Sequence, residues 1–285
     1  MLVPVLRLLA RLPLEWLHVA GAAVGWLVYW LSPVYAARLK ENLFASGVCD
    51  SPAACRILLR RAITEAGKGV TELIAVWFGA EANVSRLVTC DAWSVVEQAQ
   101  RRGGGIVFLT PHLGCFEISA LYAAQRLPIT IMYRPPKLKW LEPLMTAGRQ
   151  RSRSKLAPAN LKGVRMLYKA LQRGETVGLL PDQAPGVGEG AWADFFGRPA
   201  YTMTLVARLQ KATGAAVVMA FAERLPRGRG YRLHLQPIPV EDLDEAGLNR
   251  AIEALVRRCP AQYLWSYNRY KVPAGAEKPR MKAEG

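Results

Sequence analysis

The apolar positions of this chain change period several times. From Trp16 to Leu31 the run WLHVAGAAVGWLVYWL is sixteen residues long, with His18 its only ionisable residue, Arg7 and Arg11 before it and Arg38 and Lys40 after it. A spanning helix needs roughly 20 apolar residues, so the run fits either a tilted or locally thinned span or a shallow, re-entrant helix. Trp16, Trp26, Tyr29 and Trp30 suit the headgroup level, where amphipathic rings find both surroundings. A cleaved signal peptide competes with this reading, since Ala20-Gly21-Ala22 is a small-residue site. Cleavage there would leave Ala23-Val24-Gly25-Trp26-Leu27 at the new terminus, itself membrane-seeking, and an uncleaved anchor is the preferred reading.

Beyond Ser51-Pro52 a long helical pattern runs towards Phe78, interrupted only by Gly67 and Gly69. Asp91 reads as the N-cap of a helix ending near Gln100. Strands and helices then alternate: strand 106–110, helix 115–126, strand 129–133, helices 138–148 and 161–172, strand 176–180. Ala200–Thr213 reads as a further helix, Ala215–Ala222 and Tyr231–Gln236 as strands, and Leu243–Cys259 as a late helix. This order predicts an α/β fold, a mixed sheet covered by helices, preceded by a hydrophobic anchoring helix. The expected division is a membrane-anchoring segment over 1–45, an α/β domain over 46–273 and a basic polar tail over 274–285.

The most informative junction is Thr110-Pro111-His112-Leu113-Gly114-Cys115-Phe116-Glu117. Gly103–Gly105 release the chain from the preceding helix, Ile106–Leu109 form a short buried strand, and Ile118–Gln125 carry apolar residues at helical spacing. The intervening loop is therefore lifted to the carboxyl edge of a sheet, where open α/β sheets bind ligands. His112 in such a loop is a candidate general base, and Glu117 in the first helical turn is its expected orienting acid. Taken by its spacing alone, the pair also fits a helix cap. Leu179-Leu180-Pro181-Asp182-Gln183 sets a second acid at another strand exit, where Asp182 is open to three roles: orienting an arginine, capping a loop or binding substrate.

Charge narrows the partner. The 285 residues hold 38 Lys and Arg against 22 Asp and Glu, a net charge of +16 that calls for an anionic partner. Arg134, Lys137, Lys139, Arg149, Arg151, Arg153, Lys155, Lys162, Arg165, Lys169 and Arg173 share their segment with a single acid, Glu142. If extended, Arg149, Arg151 and Arg153 aim three guanidiniums to one side, an arrangement suited to phosphate oxygens. Nucleic acid is not the expected partner, because helix-turn-helix, zinc-finger and RNA-recognition signatures are missing. Five cysteines without a paired spacing imply neither a disulfide scaffold nor a zinc site, and no metal is expected. Cys115, beside His112, is read as a small buried hydrophobe in preference to a nucleophile.

With its other segments in view, the chain resembles the late acyltransferases of lipid A biosynthesis. These belong to a wider glycerolipid acyltransferase superfamily marked by a His-x4-Asp/Glu motif, here His112 to Glu117. The likeness continues through Met132-Tyr133-Arg134-Pro135, Ala147-Gly148-Arg149-Gln150-Arg151, Leu180-Pro181-Asp182-Gln183, Phe195-Phe196-Gly197-Arg198-Pro199 and Pro260-Ala261-Gln262-Tyr263-Leu264-Trp265. Against the commonest family form the chain has Leu-Gly-Cys-Phe inside the motif and Asn268 in a final segment usually richer in arginine.

The resemblance implies transfer of a fatty acyl group from acyl carrier protein, without cofactor, to a hydroxyl of a lipid A precursor. His112 is then the expected base and Glu117 its support, with Arg134, Arg149, Arg151, Asp182 and Gln183 as substrate-binding candidates. A bacterial inner-membrane location follows, the catalytic domain facing the cytoplasm and its carrier protein and the chain touching the phospholipid bilayer. Acylation of a lysophospholipid or another membrane lipid is the rival enzymatic reading, and a non-catalytic basic membrane-binding protein the rival of another class.

Overall fold

The computed structural model of the chain describes residues 2–136 and 138–277. Lys137 of the basic segment and most of the expected polar tail lie outside the described residues.

Three helices open the chain: α1 (Leu2–Leu9), α2 (Leu14–Leu31) and α3 (Pro33–Ala45). The long α4 (Pro52–Phe78) follows, its first turn capped by the Ser51 hydroxyl, which accepts from the Ala54 amide at 3.1 Å. Between α3 and α4 a tight connection brings the Cα atoms of Cys49 and Cys55 to 5.4 Å, and the two are joined in a disulfide. This one local bridge was not read from the cysteine spacing, and Cys90, Cys115 and Cys259 stay free; Gly47, at φ +62°, turns the chain back on itself.

The body then alternates. α5 (Glu81–Leu87), β1 (Val88–Thr89), α6 (Ser94–Arg101) and β2 (Ile106–Leu109) lead into α7 (Phe116–Ala124) and β3 (Ile129–Tyr133). α8 (Glu142–Arg149), β4 (Ser154–Pro158), α9 (Leu161–Gln172) and β5 (Thr176–Leu179) complete one side. The hairpin β6 (Gly190–Phe195) and β7 (Arg198–Met203), then α10 (Leu205–Thr213), β8 (Ala216–Arg224), β9 (Tyr231–Ile238) and α11 (Glu245–Arg258), finish the fold.

Two of the elements read from the sequence form differently, and β4 and β6 lie where the sequence reading placed no strand. Ala200–Thr213 is strand and then helix, because Phe196 and Gly197, at φ +48° and +69°, make a tight turn that returns Arg198–Met203 along β6. Asp91 does not cap α6, which starts from a turn closed by the Val95 amide on the Ala92 carbonyl at 3.1 Å.

Seven strands form one sheet in the order β1-β9-β8-β2-β5-β3-β4, all pairs parallel except β8 with β9. β2 and β5, at its centre, are buried at every position, which is why they read as unbroken apolar runs. The chain leaving β2 goes through α7 to β3 on one side, while the chain leaving β5 crosses to β8 on the other. The crevice at such a reversal opens at the carboxyl ends of β2 and β5.

Candidate active site

Register builds the centre of this crevice. β2 and β5 pair Ile106 with Thr176 and Leu109 with Leu179, and the Thr110 amide extends the pairing to the Leu179 carbonyl at 2.9 Å. His112 and Asp182 each stand three residues beyond that last pair, so two parallel strands deliver them side by side. The His112 ring nitrogen Nδ1 lies 2.8 Å from Asp182 Oδ1, and the His112 backbone N–H donates to Oδ2 at 2.9 Å. Asp182 is only 2% exposed. Burial works against its charge, but the imidazole and the two hydrogen bonds outweigh it and hold the carboxyl below its ordinary pKa.

An ionised Asp182 fixes the tautomer: Nδ1 carries the hydrogen and Nε2 keeps its lone pair. Gln183 Nε2 lies 3.2 Å from that atom and donates to it. The Phe116 ring packs against the imidazole with centroids 4.8 Å apart. Beneath Asp182, Tyr263 is buried, and burial with the nearby carboxylate keeps its hydroxyl well above the ordinary phenol pKa.

The loop carrying His112 is braced from behind. Gly114 donates to the Gln262 carbonyl at 3.1 Å, Cys115 to the Ala222 carbonyl at 2.9 Å, and Leu264 donates back to the His112 carbonyl at 3.0 Å. Gly114 sits at φ +61°, and a Cβ there would overlap the Ala222 backbone, so the close approach to β8 requires glycine. The amides of Phe116 and Glu117, at the start of α7, have no acceptor among the described residues.

Glu117 does not hold the histidine. Its buried carboxylate, in the first turn of α7, is gripped by the Arg149 guanidinium, whose Nε lies 3.1 and 2.9 Å from the two oxygens and whose Nη2 bonds Oε1. Trp77 Nε1 donates to Oε2 at 3.1 Å. The expected His112–Glu117 pairing is thus corrected: the ring turns towards the end of β5, where Asp182 meets it. Arg149 ends α8, and Gly148 before it lets that helix press on the Trp77 ring, where a side chain would collide. Burial disfavours the Arg149 charge, yet Glu117 more than compensates and raises its pKa.

Glu117 and Arg149 line a small, partly open cleft together with Thr110, Phe116, Leu179 and Leu180. The other predicted residues disperse. Arg134 is exposed at the end of β3, available to a ligand. Arg151, expected to bind substrate, instead donates to the Val76, Trp77 and Gly79 carbonyls at 3.0, 3.0 and 2.8 Å, satisfying the carboxyl end of α4. Arg153 is exposed, so the three alternate arginines do not form one phosphate-facing row. Cys115 is buried, and burial with the Glu72 carboxylate pushes its thiol well above the ordinary range, which leaves it a poor nucleophile.

Trp77 and Tyr263 escaped the sequence reading of the site. Trp77 lies near the end of a long helical pattern without any local signal, whereas Tyr263 stood inside one of the segments that carried the resemblance.

The description of bacterial lipid A biosynthesis acyltransferases matches residues 1–272 of this sequence. The chain belongs to that family. The acyltransferase is 28% identical to the lipid A biosynthesis lauroyltransferase of Escherichia coli over 278 residues, 94% of this chain and 89% of that protein. It is 28% identical to the lipid A biosynthesis palmitoleoyltransferase of the same organism over 217 residues, 73% and 70% of the two chains. A lipid A biosynthesis acyltransferase of Haemophilus influenzae matches at 26% over 295 residues, 98% of this chain and 92% of its own.

Proposed function

We propose that the acyltransferase moves a fatty acyl group from the thioester of acyl carrier protein to a hydroxyl of a lipid A precursor, with His112 as general base oriented by Asp182. The 2.8 Å contact between His112 Nδ1 and Asp182 carries this reading, because it leaves Nε2 free to accept a proton.

The acceptor hydroxyl replaces the Gln183 amide at Nε2 and gives its proton to the ring as its oxygen attacks the thioester carbonyl carbon. Negative charge then gathers on the carbonyl oxygen. The unpartnered Phe116 and Glu117 amides at the start of α7 suit that oxygen. The tetrahedral centre collapses with cleavage of the carbon–sulfur bond, and the imidazolium returns its proton to the departing sulfur. An ester and a free carrier thiol result. Asp182 stabilises the imidazolium between these two transfers. The Glu117–Arg149 pair fixes the wall of the cleft where thioester and phosphate groups arrive, a positioning role that replaces the one first expected for Glu117.

The donor fits the charge of the chain, since a net +16 favours an acidic carrier and an anionic phosphoglycolipid alike. The apolar α2 supports action at the inner membrane, and the carrier protein as donor assigns the catalytic body to the cytoplasmic side. Product mass tests the assignment: purified enzyme with acylated carrier protein should add one acyl group to a lipid A precursor. Acylation of a lysophospholipid in its place, under the same conditions, would reassign the acceptor.

A further inference from the structure

α2 has two opposed stripes. Leu14, Leu17, His18, Gly21 and Gly25, which fall on one face at helical spacing, are buried. On the other side Trp16, Val19, Leu27, Trp30 and Leu31 follow the same spacing and are 52–73% exposed. Ala20 and Ala23, also exposed, complete that stripe, which contains no charge. A helix in water turns its polar face outward. This one turns its apolar face outward, and Glu15 at the edge is its sole acid.

The buried stripe decides how the helix meets lipid. α2 and α4 pack antiparallel from end to end. The Thr71 hydroxyl donates to the Leu17 carbonyl at 2.7 Å, His18 Nε2 lies 3.4 Å from Glu72, Gly21 meets Gly67 and Lys68, and Gly25 meets Ile63. Side chains at Gly21, Gly25 or Gly67 would overlap the facing backbone, so the two helices are held at the closest approach that glycine permits. The part of α4 beside the second half of α2 bears exposed Arg56, Arg60 and Arg61. A crossing by α2, about 27 Å long at 1.5 Å per residue, would have to carry the packed stretch of α4 with it, and Arg60 and Arg61, level with Val28 and Leu27, would enter the edge of the hydrocarbon at a cost below the roughly 2.5–3.5 kcal/mol of a charge at a helix centre.

We propose that α2 does not cross the bilayer but lies along one leaflet of an anionic phospholipid membrane, its Trp16–Leu31 stripe at the boundary of headgroups and acyl chains. This rests on the reading above that the enzyme works at a membrane. Exposed Arg7 and Arg11 at one end and Arg56, Arg60 and Arg61 at the other stand where lipid phosphates would meet them. The arrangement brings the leaflet to the site: α4, which backs α2, also supplies Trp77 to Glu117. A lipid acceptor then reaches the cleft from the leaflet that α2 occupies.

Tags at both ends of the full-length protein test this in membrane vesicles of the expressing bacterium. In inverted vesicles, protease added outside should digest both tags. Protection of the amino-terminal tag there, with digestion in right-side-out vesicles, would overturn the in-plane arrangement. Failure of the protein to sediment with vesicles at all would overturn the membrane reading on which it rests. Arg60→Glu with Arg61→Glu, checked for folding by circular dichroism, should lower partition of the purified protein into phosphatidylethanolamine–phosphatidylglycerol vesicles about tenfold or more at low salt. Partition unchanged by the double charge reversal would also count against it.

Discussion

Asp182 engages His112 twice, at the ring Nδ1 at 2.8 Å and at the backbone N–H at 2.9 Å. The side chain and the loop that carries it are therefore set by one carboxylate. Asp182→Asn keeps the shape but lets the ring take the other tautomer, with the proton on Nε2. The expected result is a fall in kcat of about 10³–10⁴ with KM little changed, read from steady-state kinetics.

Glu117 and Arg149 form a buried pair, so each single change leaves the other charge without its partner. Glu117→Gln and Arg149→Gln should each destabilise the protein by about 3 kcal/mol. The double variant should lose less than the sum of the two, with a coupling of roughly 1–3 kcal/mol in denaturant unfolding. Both singles should also lower kcat/KM, because the cleft wall moves.

Arg151 serves a helix end. Arg151→Ala should lower stability by about 2 kcal/mol, the range of hydrogen bonds to a charged group, and leave KM for both substrates near that of the parent. A large rise in KM with unchanged stability would restore it to the substrate site.

Glu72 predicts how the fold responds to acid. It accepts from Arg224 at 2.8 and 2.6 Å and from the Tyr231 hydroxyl at 3.0 Å. Burial disfavours its charge, but Arg224 and His18 outweigh that and hold its pKa at about 2 against an ordinary 4.5. A lowered carboxylate pKa adds stability that is complete above 4.5 and is lost as pH falls towards 2, here on the order of 3 kcal/mol. Glu72→Gln should be less stable at neutral pH and show a flatter loss of stability below pH 4.5, measured by urea unfolding across that range.

Local signals in the sequence carried the strand, loop and helix around His112. Glycines ended α6, four apolar residues made β2, and helical spacing opened α7. The partner of His112 was a matter of register: Asp182 meets it because Leu109 pairs with Leu179, a contact 70 residues apart in sequence. Proximity in the motif favoured Glu117, whereas sheet geometry favoured Asp182. The β6–β7 hairpin was hidden for a similar reason, since Ala200–Thr202 become strand only by pairing with Ala191–Ala193. Arg151 looked like a phosphate ligand because the carbonyl end of α4 that it satisfies lies more than 70 residues upstream.

The most direct test of the mechanism is the single-turnover rate of acyl transfer from acyl carrier protein to a lipid A precursor, for the parent enzyme and His112→Ala at equal saturation. Loss of the base should slow the chemical step by at least about 10²–10⁴ while the variant still binds both substrates. A His112→Ala enzyme transferring acyl groups within a few-fold of the parent rate would contradict the assignment of His112 as the base.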